Sequence, residues 1–437
     1  MTQLKAPRPG GLRRFAIDLS PLAVPAYRRM WLGNGIAMFG IQLTAVAVPV
    51  EMYALTGSSL WVGLIGIAAF LPLLVFGLWG GALADAHDRR KVLLATAAVL
   101  WVATFGLVVQ AVLGVGSPLL LLALVAVQSV AFAVSSPTRN AILPRLVPAE
   151  LVPAASTLNF TTHTAASVFG PLVAGLIFAW WGTDLGLPIA YAADAALYTV
   201  AVWATVRLPA MPPEPDPDAG PAAPGSPRRA GLASIVDGLR YLATTPVLLL
   251  SFVIDLIAMV LAMPRALFPE IAESRFGGGA AVGWLYSAIA AGAMLGGLTS
   301  GWIGRLRRQG LVLVVAVVGW GLAVAAAGLA GQLWLMVLLL AVAGAADLVS
   351  AVLRQSLLLV YAPDRMRGRL MGVNTVVIAG GPRLGDLRAG AVAAGFGGGV
   401  AWVSGGLISA ALAVLLAVAF PVLLRYRAAA RSGDDRG

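Results

Sequence analysis

An all-α integral membrane fold, twelve transmembrane helices in two six-helix halves, is what this sequence predicts, and three observations predict it. Hydrophobic residues fill 59% of the 437 positions and charged residues only 11%, where a soluble domain carries charge at about a quarter of its positions. Apolar runs of about 20 residues, long enough to cross the hydrocarbon layer, recur along the whole chain, and only helices satisfy their own backbone in lipid. The two halves also repeat. Ser135–Leu143 with Pro148 after it matches Ser350–Leu358 with Pro363 after it, so Arg139 pairs with Arg354 and Pro148 with Pro363 at one common offset. Parallel six-span repeats are a transporter architecture, with the substrate site where the halves meet.

The elements follow in order. Residues 1–29 are basic and broken by Pro, with no apolar core, and read as a cytoplasmic lead rather than a signal peptide. The N-terminal half, 30–208, begins with Met30–Tyr53, where Asn34 and Gln42 give one polar side and Glu51 is expected as a solvated charge near the outer end. Leu60–Ala84, Val92–Leu113 and Pro118–Leu143 follow. Ala154–Trp180 carries Asn159 and His163 on one face, and Leu187–Val206 carries Asp194, expected in a structural pairing. Residues 209–246 are a linker: Pro209–Pro227 is too rich in Pro, Gly and acid to bury a core. Leu232, Ile235, Val236, Leu239 and Leu242 then have helical spacing with Asp237 and Arg240 opposite, which predicts a short interfacial helix. The C-terminal half, 247–424, holds Val247–Phe268, Ala281–Ile303, Leu311–Leu329, Leu333–Val360, Leu370–Ala394 and Val400–Leu424. The stretch Pro269–Gly279 is expected as the largest outer loop, and 425–437 as a cytoplasmic tail.

Charge sets the expected orientation. With the N-terminus inside, the inner segments hold Lys5, Arg8, Arg13, Arg14, Arg28, Arg29, Arg89, Arg90 and Lys91, and the outer side only Arg265 and Arg275. That is a positive-inside pattern with both termini cytoplasmic. It also accounts for the net charge of +11 and leaves no reason to invoke nucleic acid. Cysteine is absent and histidine occurs twice, which excludes disulfide and thiolate chemistry and leaves little for a metal site. No cofactor is implied, and the chain is expected as a monomer in the bilayer.

The run Gly80-Gly81-Ala82-Leu83-Ala84-Asp85-Ala86-His87-Asp88-Arg89-Arg90-Lys91 has two readings. One is a basic topogenic turn. In the other, Asp85 meets a helix end or an arginine such as Arg139 and holds one side shut. The run resembles the signature cytoplasmic loop of the major facilitator superfamily, with Ala86 and Asp88 where Arg and Gly are usual there. A fainter copy, Gly301–Arg308, lacks the Asp. Gly170-Pro171 within Ala166–Gly175 is similar to the antiporter signature of that superfamily's exporters, and Gly381-Pro382 repeats the device. Pro bends such a helix and Gly allows close packing. The stretches Ala45–Tyr53, Leu55–Ser59, Pro144–Pro148, Thr299–Gly301, Gly368-Arg369 and Gly385-Asp386, with Tyr286, resemble the enterobactin-exporter branch.

Intramembrane charges cost about 2.5–3.5 kcal/mol each at a helix centre and should face protein or water. Asp255 in span seven and Asp347 in span ten, with Arg354 on its side, are the main candidates for proton or substrate handling. The resemblance puts spans one, four, seven and ten around the cavity, and both acids with them. A static ion pair is the competing reading. Arg383 and Asp386, about a turn apart, are expected to pair locally. What the resemblance implies is proton-driven export, by alternating access, of a small amphiphile such as an enterobactin-type siderophore. A multidrug exporter, suited to apolar Met-bearing walls, is the alternative. A sensor without flux would want a large soluble domain, and none is legible.

Overall fold

The computed structural model describes residues 18–209, 211 and 232–426. The lead up to Ile17, most of the linker and the tail from Arg427 lie outside them, as do a few side chains within helices, Gly81 and Asp85 included. Among the described residues the chain forms helices α1 Pro25–Thr56, α2 Ser59–Ala86, α3 Arg89–Val112, α4 Pro118–Leu146, α5 Val152–Val206, α6 Leu232–Thr244 and α7 Pro246–Ala262. Next come α8 Phe268–Phe276, α9 Ala280–Leu298, α10 Gln309–Leu329, α11 Leu333–Tyr361, α12 Asp364–Phe396, α13 Gly398–Ala419 and α14 Pro421–Leu424. Among the described residues ten candidate spans are long and apolar enough to cross a membrane. Helix α5 is one of them and holds two limbs, while the 33-residue α12 is not among the ten, its apolar character diluted by Arg367, Arg369, Arg383, Asp386 and Arg388.

The expected loop between spans five and six is absent. Helical turns run on either side of Gly182, whose φ of 67° is a conformation that costs Gly nothing. Contacts with α1 show the reversal. Going up α1, Gly35 faces Thr162 and Gly170 faces Gln42, whereas Gly33 faces Ala204 and Gly40 faces Asp194. The first limb therefore runs parallel to α1 and the second antiparallel.

Span seven also differs from expectation. Helix α7 has 17 residues, about 25 Å, too short to cross alone. Pro264 stops it, because Pro disfavours helical backbone at Met263, and Met263 is extended. A 3-10 turn, Arg265–Leu267, leads into α8, so the predicted loop over Pro269–Gly279 is mostly helix. Phe268, Ile271 and Ala272 are buried there, and only the glycines Gly277–Gly279, all at positive φ, make the turn. Span twelve likewise ends at Ala419 before Pro421 instead of reaching Leu424.

Helix α6 forms where the spacing predicts it but docks on protein. Asp237, expected to point away from the apolar face, binds Arg369 of α12 at 2.9 Å. Tyr241 donates to the Tyr361 carbonyl at 2.9 Å, and Leu242 is buried. The half-exposed ion pair itself contributes below about 1 kcal/mol; apolar packing and the tyrosine fix the helix.

The halves meet along two helix pairs, α2 with α12 and α5 with α9. In the first, Gly390 packs on Ser59, Gly63 on Asp386, Gly66 on Arg383 and Gly380 on Phe70. Continuing that antiparallel register puts Gly77 opposite Gly372, and neither has a neighbour within 4 Å of where a Cβ would stand. In the second pair a Cβ on Gly283 would lie 2.9 Å from Gly175 Cα. The helices are thus pressed together at the end away from Pro25, the far end, and splay apart toward the end where α1 begins, the near end. Glu270 of α8 bridges the halves at the far end, accepting from Ser59 Oγ and from the Gly398 N–H at 3.1 Å. Glu51, expected to be solvated, is instead 5% exposed. It accepts from Gln110 Nε2 at 2.8 Å and Tyr191 Oη at 2.6 Å, which ties α1, α3 and the second limb of α5 together.

Candidate functional site

Between the halves lies a cavity of about 980 Å³. Its N-terminal wall comes from α1, α2, α4 and both limbs of α5, and its C-terminal wall from the Arg265 turn, α9 and α12.

The N-terminal wall gathers the polar positions expected from the sequence. Asn34 and Gln42 of α1, Asn159 and His163 of α5, and Arg139 of α4 all line the cavity. Tyr198 stands in the field of Arg139. One turn from Tyr198 on the same limb, Asp194 accepts from Thr44 Oγ1 at 2.6 Å, in a slot that exists because α1 has only Gly40 there. Asp194 is 1% exposed, and its Oδ1 has no hydrogen-bond partner among the described residues. Its structural pairing is therefore half complete, and it faces the cavity.

The C-terminal wall is built around a residue that the sequence reading assigned to the outside. Arg265 sits on the turn that interrupts span seven and lines the cavity with Tyr286, Pro382, Arg383 and Asp386. The turn is held from two sides: Asp386 accepts from the Ala266 N–H at 3.2 Å, and the Tyr286 hydroxyl donates to the Arg265 carbonyl at 3.3 Å. Arg383 donates to the Ala379 carbonyl at 2.5 Å and is in the field of Asp386. Arg388 points elsewhere, to the carbonyls of Leu261 at 2.8 Å and Ala401 at 3.1 Å. Pro264 was the available signal for Arg265, since a break in an apolar run moves a flanking charge inward.

Asp255 and Asp347 are not in the cavity wall. Asp255, 2% exposed, forms an ion pair with Arg354, and Asp347 stands in the field of Arg354 and Arg265. The expectation that spans seven and ten line the cavity thus fails in this conformation. The pair draws α7 and α11 together inside the C-terminal half, and the α7 break hands the wall position to Arg265. The repeat is broken in the same way: Arg139 looks into the cavity, while its counterpart Arg354 is turned to Asp255.

In the loop expected to gate, Asp88 caps α3, accepting from the Arg90 N–H at 2.9 Å and the Met211 N–H at 3.3 Å. Arg90 reaches the Val206 carbonyl at 2.5 Å, and the Arg89 N–H donates to the Met211 carbonyl at 3.1 Å. The loop therefore clasps the start of the linker. Gly81 and Asp85 lie outside the described side chains. Of the kink residues, Gly170 lets α5 close on Gln42 of α1, and Gly381 lets α12 close on Met259 of α7. Pro171 and Pro382 both face the cavity. Among the described residues no cluster of acids and histidines could hold a metal.

Two helical halves around one cavity between them define a major facilitator transporter, not an enzyme. Solved structures share the fold: the nucleoside transporter NupG (D323A mutant) at TM-score 0.72 and 17% identity, over 92% of this chain and 100% of that one, and a D-xylose–proton symporter at TM-score 0.67 and 13% identity, over 90% and 97%. Residues 16–435 match the family described as transmembrane secretion effector, and the chain belongs to it. The enterobactin exporter EntS of Shigella boydii serotype 18 is 31% identical over 376 residues, 85% of this chain and 86% of that protein. The exporter of the same name from Escherichia coli O81 gives the same figures. The chain is thus a multi-pass secondary transporter of a small molecule in a bacterial exporter branch.

Proposed function

We propose that this protein exports a small amphiphilic molecule, of the siderophore kind its relatives are named for, by proton-driven alternating access across the bacterial inner membrane. The observation that carries the reading is the α2–α12 register, tight at the far end and open at Gly77 and Gly372, which leaves one cavity reachable from one side only. Twelve crossings are counted on this reading: the ten apolar spans, the second limb of α5 and α12. The basic bias of Arg28, Arg29, Arg89, Arg90 and Lys91 supports a cytoplasmic near end, so the cavity is in its loading state. Cysteines introduced at Ser226 and Ser432 are expected to react with impermeant maleimide only in opened cells. Labelling from outside intact cells would overturn the orientation.

Coupling needs a carboxylate that meets cavity water in one state and is sealed in another. Asp194 and Asp386 border the cavity, whereas Asp255 is buried away from it and Asp347 is not among its lining residues. In proteoliposomes with an imposed pH gradient, Asp194→Asn or Asp386→Asn is expected to abolish uphill export, with downhill flux retained. If Asp255→Asn and Asp347→Asn uncouple instead, the proton travels through the buried network.

A further inference from the structure

We propose that Arg265 is an oxyanion-recognition site, backed by Arg383, and that the molecule carried is an acidic amphiphile rather than an organic cation. The inference rests on the export reading and names its substrate class. Arg265 is exposed and borders the cavity, and among the described residues its guanidinium has neither a hydrogen-bond nor an ion-pair partner. A guanidinium at membrane depth with unused donors is a binding group awaiting a ligand, since neighbours otherwise take up such donors.

The nearby acids are committed elsewhere. Asp386 holds the Ala266 N–H and shares its field between Arg265 and Arg383. Asp347 faces Arg354 as well as Arg265, and Arg354 is itself bound to Asp255. On the opposite wall Asp194 is 1% exposed and Arg139 lies beside Tyr198. A solute in the cavity therefore meets the Arg265 donors with Asp386, half-exposed in the same wall, beside them and Asp194 buried opposite.

The turn carrying Arg265 is fixed from α9 and α12, so the point from which its side chain reaches into the cavity is set. A planar carboxylate or a phenolate matches its parallel N–H pairs, which an ammonium cannot use. Elsewhere in the same cavity Trp31, Phe132 and Phe160 of the N-terminal wall offer apolar surface for the body of the same molecule, so its acid would lie toward α12 and its ring or chain toward α1 and α4.

Fluorescein, an anion, and ethidium, a cation of comparable size, separate the alternatives in binding and in flux. The purified protein in nanodiscs is expected to bind fluorescein more tightly than ethidium. Arg265→Gln should weaken fluorescein binding about tenfold, the equivalent of one charge-assisted hydrogen bond, and leave ethidium binding unchanged. Arg383→Gln should act in the same direction and less strongly. If Arg265→Gln does not fold, Arg265→Lys keeps the charge without the planar fork, and a drop of about fivefold is expected. Tighter ethidium binding by the wild type, or fluorescein affinity indifferent to both Arg265 variants, overturns the proposal. Anion-selective binding with no gradient-driven movement of fluorescein in proteoliposomes would overturn the export reading and leave the anion site standing.

Discussion

Arg354→Met is expected to lose most of its folded protein, because it leaves the Asp255 carboxylate buried without its partner. Breaking one side of a buried pair costs about 3–5 kcal/mol, a large part of the whole stability of an ordinary domain. Removing both members of the pair avoids stranding Asp255, while Asp347 keeps the field of Arg265, and pairs replaced by apolar groups of similar volume are often neutral. The double variant Asp255→Leu with Arg354→Met should therefore recover the folded yield. Thermal unfolding of the detergent-solubilised proteins, read by size-exclusion fluorescence, checks the order: wild type and double variant close together, Arg354→Met well below. The recovered variant also has a functional readout. Export at the wild-type rate would make the pair a fixed brace between α7 and α11, whereas a folded but inactive double variant would put its breaking inside the cycle. A double variant no more stable than Arg354→Met would show that the pair is not the source of the loss.

The second large effect is expected at Gly77 and Gly372, where the fold is loose rather than tight. A Cβ at either position enters open space in this conformation, and with leucine at both the stability is expected to change by no more than about 0.5 kcal/mol. Closing the near end brings the two helices together at that row, as they already are at Gly63 and Gly66. Overpacking of this kind costs about 1–3 kcal/mol, enough to slow export roughly tenfold or more while substrate binding is retained. The native chain has no cysteine, so a Gly77→Cys, Gly372→Cys pair offers a clean check. Cross-linking should appear only under conditions that close the near end, and it should stop transport. Full export by the double leucine variant would mean that this row never closes.

Most of the fold was legible because hydrophobic length and the internal repeat are long-range signals. What the sequence could not display was pairing in three dimensions. Glu51 reads as a solvated end charge until Gln110 and Tyr191, from two other helices, arrive at its oxygens. Arg265 reads as an outer charge because a window of apolar residues does not register that Pro264 divides it. Asp255 and Asp347 were found as intramembrane acids, but which side of the wall they occupy depends on where Arg354 turns, and spacing along one helix does not give that. The polar stripe of α1 and the Asn159–His163 face, both on the cavity wall, could be picked out because a helical face can be read from spacing alone. The near-end opening left its trace in glycines, and only the register between helices separates those that are packed from those that are free.

The cavity's size has a consequence of its own. At about 30 Å³ per molecule, 980 Å³ corresponds to roughly thirty waters, and a cycle that collapses this volume must return most of them to bulk. Solutes too large to enter the cavity then perform osmotic work on the transition, on the order of a few tenths of a kcal/mol per osmolar. A crowded or dehydrated compartment would favour the collapsed state, and turnover in proteoliposomes should shift measurably when an impermeant polymer is added on the open side. By this route the transporter behaves as a weak osmometer as well as a carrier, with a sensitivity set by the volume its two halves leave between them.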